Sequence, residues 1–371
     1  MLPRTSPARM FCPRCHRRYD RDHRFCPYDG ESLVDGARMD LMPSRATRLA
    51  GTRIGDRYEV RGFIGKGAMA RVYLAEDTRT RKPVAVKILA LSPSQRNASN
   101  ATERFFREAQ AAAKVGHPNI VEIFDVGQRS DGAPYLVMEY LFGESLGELL
   151  RREGKVDVDI GLPILQQATA GLAAAHAVGV VHRDLKPDNI FLVGAPGDPY
   201  AVKILDFGLA KLEALSSMTA AGTAVGTLEY MAPEQVLSDA PDARTDVYGL
   251  AVVMYRMFTG VLPFNARDDA ELLAEQVFRQ PDPPSSRVPQ LDAALDAVVL
   301  RALRKAPSNR YPSMAALRDD LDRLAGERPG PIAAIERASA IDVYEPQTDT
   351  ARAAFEFFRM RANAWKPLGT P

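Results

Sequence analysis

The stretch that decides the fold is His182-Arg-Asp-Leu-Lys-Pro-Asp-Asn189, which lies between two apolar runs. It places a carboxylate, a lysine and an amide within six residues, at Asp184, Lys186 and Asn189. Pro187 disfavours a continuous helix through this stretch, so we expect a loop. The spacing raises the question of which reaction needs these three groups so close together.

Composition indicates an ordinary soluble protein with a sizeable core. The chain has 371 residues and a net charge of +1, from 48 Lys and Arg against 47 Asp and Glu. This balance gives no field that favours nucleic acid or an anionic membrane. No apolar run is long enough to span a membrane, and the first residues lack the apolar stretch of a secretory signal. We therefore expect a cytoplasmic protein that does not bind membranes or nucleic acid.

The sequence divides into four parts. Residues 1–35 are rich in Arg, Cys, His and Asp, and residues 36–55 show no periodicity and are interpreted as a linker. Residues 56–326 have a globular pattern throughout, and residues 327–371 form a tail with one helical segment. Within the globular part, β-rich runs come first and helical patterns dominate after Gly143. This order predicts an α+β fold with two unlike lobes and a ligand between them.

A glycine-rich turn opens the globular part. In Gly65-Lys-Gly-Ala-Met-Ala-Arg-Val72, the glycines could let backbone N–H groups approach phosphate oxygens, or could simply form a β-hairpin turn. Strand-like sequence on both sides favours a lid over phosphates and argues against a Rossmann turn into a helix. No GxxxxGK[ST] pattern occurs nearby, which argues against a P-loop NTPase.

Lys87 ends the apolar run Val84-Ala-Val-Lys87, so its charge needs a partner on a buried strand. The predicted helix near residues 101–115 offers Glu103 and Glu108. Glu108 shares a face with apolar residues three positions before it and four after it, whereas Glu103 lies about 140° away around the helix. Glu108 is the better partner.

Together these groups suit phosphoryl transfer. Asp206-Phe-Gly208 adds a second carboxylate after another strand-like run. Asp206 and Asn189 would hold Mg²⁺ through oxygen ligands, and Asp184 would orient an acceptor hydroxyl and take its proton. Lys87 and Lys186 would offset the charge of the transferring phosphate.

The segment from about Tyr58 to Leu324 resembles a protein kinase of the eukaryotic-like (Hanks) family, and most of all the bacterial serine/threonine kinases. The motifs that carry the resemblance are GKGAMARV, VAVK, HRDLKPDN, DFG and APE, in this order and spacing. The resemblance implies a bilobal fold with a small β-rich N-lobe and a larger helical C-lobe. It also implies ATP, Mg²⁺ (or Mn²⁺ in its place) and transfer of the γ-phosphoryl group to Ser or Thr of protein substrates.

The resemblance assigns the family's nucleotide-binding positions to particular residues of this chain. The backbone groups of Glu139 and Leu141 are expected to bind the adenine edge. Ala70 replaces the third glycine of the usual pattern, but Gly65 and Gly67 remain. The remaining expected contacts are the glycine-rich loop and the adenine pocket: Ile64, Gly65, Lys66, Gly67, Ala68, Met69, Ala70, Arg71, Val72, Ala85, Lys87, Met138 and Phe191.

The resemblance also implies a protein substrate and two structural braces. The stretch Gly226–Glu234 is similar to the peptide platform of protein kinases, and Lys186 in the catalytic loop is typical of the Ser/Thr-specific pattern. Glu234 is expected to pair with Arg310. Asp246 is expected to brace the catalytic loop.

Regulation can be partly inferred. Arg183, directly before Asp184, is similar to the arginine that binds a phosphate on the activation loop in many kinases. Within residues 211–225, Thr219 best matches the position that is phosphorylated in similar bacterial kinases, and Thr223 is second. The alternative is a loop whose threonines are only polar surface.

The first thirty residues resemble a zinc ribbon with an incomplete ligand set. Cys12-Pro-Arg-Cys15 and Cys26-Pro-Tyr-Asp29 would supply three thiolates and a carboxylate, a set that Zn²⁺ accepts. His16 and His23 compete with Asp29 as the fourth ligand. A segment this polar would need the metal to fold; the alternative is a disordered tail. The arginines of a ribbon could contact nucleic acid, but protein docking or autoregulation is the preferred role.

The role of the tail and the class of the whole chain each have alternatives. In the tail, Phe355, Phe358, Ala362 and Trp365 fall on one helical face, which would pack on the larger lobe or bind a partner. A pseudokinase would lack the lysine or one of the two aspartates, and none is missing. A third class is a zinc-dependent adaptor for nucleic acid or protein that carries the kinase as its regulator, and this class is compatible with an active kinase.

Overall fold

The computed structural model describes residues 10–11, 18–19, 33–35, 49–67, 70–89, 99–194, 200–207, 228–326 and 342–364. The chain forms two compact units: residues 1–116, 121–144 and 191–201 belong to the first, and residues 117–120, 145–190 and 202–371 to the second. Three sheets have the strand orders β2-β1-β3, β4-β5-β6-β7-β9-β8 and β10-β11-β12. The strands are β1 Met10–Phe11, β2 Arg18–Tyr19, β3 Val34–Asp35, β4 Arg53–Ile54, β5 Tyr58–Lys66, β6 Ala70–Asp77, β7 Pro83–Leu89, β8 Ile123–Gln128, β9 Pro134–Glu139, β10 Gly143–Ser145, β11 Ile190–Val193 and β12 Ala201–Ile204.

The helices are concentrated in the second unit, as the order of sequence patterns predicted. Of the described helices, α1 at residues 99–113 belongs to the first unit, close to the expected 101–115. The described helices are α1 Ser99–Ala113, α2 Leu146–Glu153, α3 Val158–Ala177, α4 Pro233–Val236, α5 Ala243–Thr259, α6 Asp269–Phe278, α7 Pro284–Arg287, α8 Ala293–Ala302, α9 Met314–Leu324 and α10 Asp349–Ala364.

The first unit is built on an antiparallel sheet of six strands. The β-rich runs predicted at the start of the globular part form an antiparallel meander, in which β5, β6 and β7 pair in sequence and β9 follows on β7. Alternate residues of each strand point to the same face, so one face can form a core. That core contains Ile54, Tyr58, Val60, Tyr73, Ala75, Val84, Val86, Ile88, Ala133, Tyr135 and Val137.

The end of the predicted linker belongs to this sheet. Arg53 and Ile54 pair with Glu59 and Tyr58, and Ile54 is only 2% exposed. Leu49 packs against the same core. A two-residue strand is too short for a periodicity to show, which is why the interpretation of residues 36–55 as linker extended too far.

The second unit packs its helices around α5, a helix that is buried along most of its length. Local sequence fixes where the helices begin. Ser145 and Glu148 form a capping box at the start of α2, and Asp242 and Thr245 form another at the start of α5. Gly260, with φ 80°, ends α5 in the left-handed conformation that glycine adopts without strain.

The N-terminal segment contributes a small antiparallel sheet. Met10 and Phe11 pair with Tyr19 and Arg18 on one side and with Asp35 and Val34 on the other. In the described ranges, no helix combines the length and apolarity that a membrane crossing requires.

Ile54 provides a test of the revised boundary. Replacing it by Ala should lower the free energy of unfolding by about 2–5 kcal/mol, because a buried side chain is lost and a cavity is left. The control is Ile160→Ala, at a position that is 48% exposed. Urea denaturation followed by circular dichroism measures both, and equal midpoints for the two variants would place Ile54 outside the folded unit.

Candidate active site

The second face of the large sheet carries the predicted nucleotide contacts. Lys87 on β7 pairs with Val72 on β6, and Ala85 on β7 pairs with Met138 on β9. Directly paired residues point to the same side of a sheet, and Ala85 and Lys87 are two positions apart on one strand. All four side chains therefore lie on one face, opposite the packed core, which places the lysine in an apolar row.

The glycine-rich stretch is a β-hairpin between β5 and β6. Gly67 N donates to Ala70 O at 2.8 Å and closes the turn, and a register shift between Phe63 and Gly65 leaves Ile64 without a cross-strand partner. A Cβ added at Gly65 would meet no atom within 4 Å, so the surrounding space is open. The hairpin interpretation is confirmed, and contact with phosphate remains compatible with it. Ala68 and Met69 lie outside the described residues.

The remaining predicted nucleotide contacts lie near the end of β9 and on β11. Glu139 exchanges backbone and side-chain hydrogen bonds with Glu122, at 2.9 Å and 2.8 Å, which fixes the strand where the adenine edge is expected to bind. Leu141 follows half-buried, and Phe191 is half-buried on β11.

The partner of Lys87 stays a prediction. Glu103 on α1 is exposed, and Phe105 and Ala112 are buried, as the predicted apolar stripe requires. The side chain of Glu108 lies outside the described residues.

The catalytic-loop residues Asp184, Lys186 and Asn189 come together in the second unit. Lys186 Nζ donates to Asp184 Oδ2 at 3.1 Å, and Asn189 Nδ2 donates to the backbone oxygen of Asp184 at 2.7 Å and to Oδ2 at 3.3 Å. The Asp184 side chain is 19% exposed and that of Lys186 is 23% exposed. The carboxylate is thus held in place by a cation and an amide and is still accessible to a substrate.

A backbone connection brings Asp206 to the same loop. Leu205 N donates to Asn189 O at 2.9 Å, and His182 Nε2 lies 2.7 Å from Leu205 O. The nitrogen facing a carbonyl must carry the proton, and His182 Nδ1 accepts from Asp184 N at 3.2 Å. These bonds assign a neutral imidazole protonated on Nε2. His182 therefore links the residue before Asp206 to Asp184.

Arg183 has a left-handed backbone, with φ 63°, which costs a non-glycine residue about 1–2 kcal/mol. Its N–H donates to Asp246 Oδ1 at 2.8 Å, and its carbonyl accepts from Gln235 Nε2 at 2.8 Å. Asp246 Oδ2 also accepts from His182 N at 2.8 Å and faces His176 Nε2 at 2.6 Å. The predicted brace by Asp246 is confirmed. The contribution of Gln235 was missed, because a glutamine 52 residues along the chain shows no pattern that points to Arg183.

Glu234 and Arg310 form the predicted buried bridge. Arg310 Nη1 and Nη2 donate to the two carboxylate oxygens of Glu234, at 2.7 Å and 2.8 Å. The Glu234 side chain is 3% exposed and that of Arg310 is 0% exposed. Thr245 Oγ1 adds a hydrogen bond of 2.8 Å to Glu234, and Arg310 also donates to three backbone carbonyls. The pair is fully satisfied, as a buried ion pair must be.

The described part of the predicted peptide platform is Leu228–Glu234, which we call the platform. Gln276 on α6 donates from Nε2 to Glu229 O at 2.6 Å, and Arg256 on α5 donates to the Tyr230 hydroxyl at 2.9 Å. Burial raises the pKa of Tyr230 to about 12, so the hydroxyl stays protonated at neutral pH. Side chains from two helices thus fix the platform.

Several predicted residues lie outside the described ones: Gly208, Thr219, Thr223, Cys12, Cys15, Cys26, Asp29, His16 and His23. Across the residues that the structure does describe, no cluster of His, Cys, Asp and Glu has the arrangement of a metal site.

Fold and site define a protein kinase. The model of the protein kinase domain family matches residues 58–321. The chain therefore belongs to the protein kinase family, and the resemblance stated from its motifs is confirmed.

Similar curated proteins include bacterial serine/threonine-protein kinases. The chain is 44% identical to the serine/threonine-protein kinase Pkn1 of Myxococcus xanthus over 300 residues, covering 78% of this chain and 42% of that protein. It is 39% identical to PknB of Mycobacterium tuberculosis, covering 75% of this chain and 44% of that protein. The chain thus spans less than half the length of these curated relatives. The PknI kinase domain of Mycobacterium tuberculosis superposes with a TM-score of 0.60 at 29% identity, over 75% of this chain and 98% of that one.

The Glu234–Arg310 bridge yields a stability prediction. Arg310→Met should lower the free energy of unfolding by about 3–5 kcal/mol, because the Glu234 carboxylate is left buried without its counter-ion. The control Arg352→Met removes a pair with Asp349 whose side chains are 65% and 97% exposed, and should cost at most about 1 kcal/mol. Chemical denaturation of both variants measures the difference, and losses of equal size would contradict the structural role of the bridge.

Proposed function

We propose that this chain is an active serine/threonine protein kinase that transfers the γ-phosphoryl group of ATP to protein hydroxyls. The observation that carries the proposal is the arrangement around Asp184, whose carboxylate is held by Lys186 and Asn189 and remains partly exposed. A fixed carboxylate can accept the proton of an incoming hydroxyl, and the lysine beside it can offset negative charge on the phosphate. The groups of the proposed site all lie within residues 56–326, the range predicted from the sequence as the kinase domain.

The donor set fits Mg²⁺. Asn189 uses its amide nitrogen for both bonds to Asp184, so its carbonyl oxygen is turned away from that residue. Asp206 supplies a carboxylate, and its φ of 52° is in the left-handed region that aspartate tolerates better than most residues. Mg²⁺ binds oxygen ligands such as these two and would neutralise charge on the ATP phosphates. Mn²⁺ could replace it.

The nucleotide itself is assigned to the sheet face of the first unit. Val72, Ala85 and Met138 supply apolar surface for the adenine, and Lys87 lies in the same row. Lys87 would contact the phosphates, with Glu108 as the expected partner of its ammonium group. The open space around Gly65 leaves room for close approach of a phosphate to the backbone.

The acceptor is proposed to be Ser or Thr, as the names of the relatives Pkn1 and PknB state for those proteins. The first expected acceptors lie in the chain itself, at Thr219 and Thr223. Arg183 supports this, because its Nε is buried and has no hydrogen-bond partner among the described residues. A phosphate oxygen would satisfy that donor.

Incubation with radiolabelled Mg-ATP tests the kinase assignment. Wild type should phosphorylate itself on serine or threonine, whereas Lys87→Met and Asp184→Asn should lose at least about two orders of magnitude in rate, the range attributed to a general base or an electrostatic contact. Mass spectrometry of the wild-type product should locate phosphate at Thr219 or Thr223. The control Lys82→Met changes an exposed lysine outside the proposed site and should leave the rate unchanged. Undiminished incorporation by Asp184→Asn would refute the proposal, and absence of phosphate from both threonines would refute the assigned sites.

We also propose that residues 1–35 bind a structural Zn²⁺ through Cys12, Cys15, Cys26 and Asp29. One observation supports a ribbon: the strands β1 and β2 flank the Cys12–Cys15 segment in the chain, and β3 follows Cys26 and Asp29. The two-residue spacing between Cys12 and Cys15 is one that structural Zn²⁺ sites use. Its proposed role is to dock a protein partner or to regulate the kinase.

Zinc content of the full-length chain tests this second proposal. Wild type should contain one zinc per chain by elemental analysis, and Cys12→Ser should retain little of it. Comparing Asp29→Asn, His16→Ala and His23→Ala identifies the fourth ligand. Only the variant that lacks this ligand should lose its zinc to a chelator more readily than wild type. A wild-type protein that carries no zinc after purification in zinc-supplemented buffer would end the proposal.

A further inference from the structure

The C-terminal segment packs on the second unit although the family match ends at residue 321. We call Asp342–Ala364 the C-terminal strap; it contains an extended stretch followed by α10. Tyr344 is 3% exposed and Ala351 is fully buried, and Phe358 is 9% exposed. The expectation that the tail helix packs on the larger lobe is confirmed for Phe355 and Phe358. The side chain of Ala362 and all of Trp365 lie outside the described residues.

The first anchor of the strap is Asp342. Its carboxylate accepts from Lys305 N at 2.5 Å, from Ala306 N at 3.3 Å and from Asn309 Nδ2 at 2.9 Å. The next residue along this loop is Arg310, the partner of Glu234. Because buried N–H groups need acceptors, the strap satisfies the loop that presents Arg310.

The second anchor of the strap is Asp239. This residue follows α4, the helix that carries Glu234 of the Glu234–Arg310 bridge. Tyr344 Oη and Gln347 N donate to Asp239 Oδ2 at 2.7 Å and 2.8 Å, and Thr348 Oγ1 donates to Oδ1 at 2.8 Å. Asp239 N in turn donates to Glu234 O at 2.8 Å. The strap thus contacts both segments that carry the Glu234–Arg310 bridge.

The third contact is apolar and reaches the platform itself. Leu228 and Met231 of the platform share one buried cluster with Tyr344, Ala351 and Phe358 of the strap. The packed cluster contains Leu228, Met231, Val236, Leu237, Ala274, Val277, Tyr344, Ala351 and Phe358.

α6 lies between the strap and the backbone of the platform. Phe355 packs on Phe278 with ring centroids 4.9 Å apart, and Gln276, two residues earlier on the same helix, donates to Glu229 O at 2.6 Å. The Gln276 carbonyl accepts from the fully buried Lys305 at 2.7 Å, so α6 is tied at the same point to the loop that Asp342 caps.

From these contacts we propose that the C-terminal strap positions the platform for the acceptor peptide, with Asp239, Asp342 and Phe358 as positioning residues. This rests on the proposed kinase function, because the platform matters only if a peptide binds there. The physical reason is that the strap forms hydrogen bonds to both segments that carry the Glu234–Arg310 bridge and shares a buried apolar cluster with the platform. Loosening the strap should weaken peptide binding and should spare the nucleotide-binding sheet, which belongs to the first unit.

The test uses full-length variants and a synthetic peptide of residues 211–226, which contains four hydroxyl acceptors of this chain's own sequence. Phe358→Ala should raise the peptide KM at least fivefold and leave the ATP KM within twofold of wild type. Phe358→Leu should restore most of the peptide affinity, because it refills the cluster. Met360→Ala, on the same helix at a position that is 66% exposed, should change neither constant.

Hydrogen exchange tests the role of the strap independently of the proposed kinase activity. In Phe358→Ala, the amides of residues 228–237 should exchange at least tenfold faster than in wild type or Met360→Ala, while β5–β7 keep their protection. If Phe358→Ala does not fold, Asp342→Asn serves in its place and should give the same pattern. Unchanged exchange in residues 228–237 would overturn the inference, and so would an unchanged peptide KM. A wild type that phosphorylates nothing would refute the kinase assignment alone, and exchange would still decide whether the strap holds the platform.

Discussion

The constraint on which the site depends is the left-handed backbone of Arg183. That conformation is unfavourable for an arginine, and it persists because two side chains hold both of its peptide groups. Asp246 is 1% exposed and accepts from the N–H groups of two consecutive residues, so it sets the direction in which the chain leaves the loop. Asp184 is the next residue. Its orientation is therefore set by α5 and α4, which lie far from it in sequence.

The same arrangement explains why polar groups are concentrated inside the second unit. His182, Asp246, Glu234 and Arg310 are all buried, and burying such groups is costly unless each is satisfied. Here each has a specific acceptor or donor, and the bonds from His182 to Leu205 and from Arg310 to Glu234 join segments that are distant in sequence. Apolar residues could give comparable stability, but they would not fix the direction of a peptide group. Polar burial here gives the loop one conformation.

A structural feature could be predicted from the sequence when the residues that form it lie close together along the chain. The β-rich first part and the helical second part of the globular region followed from periodicity, and the motifs grouped Asp184, Asn189 and Asp206, because motif spacing is a local property. Asp246 and the Glu234–Arg310 pair were expected only through the family resemblance. Gln235 and the carbonyl contact of His182 were not expected, because a side chain that bonds to a distant backbone group leaves no trace in spacing. The short strand at Ile54 escaped for a different reason, since two residues cannot display alternation.

The C-terminal strap shows that similarity and burial define different boundaries for one folded unit. The family match ends at residue 321, yet Ala351 is completely buried and Tyr344 is nearly so. If the unit ended at residue 326, the apolar cluster that contains Leu228 and Met231 would lose three of its buried members to solvent, and three donors near Arg310 would lose the Asp342 carboxylate. Unsatisfied buried donors and exposed apolar surface both oppose folding. The physical unit therefore includes the strap, and the platform that it contacts is a part of the proposed site that a bound peptide would touch directly.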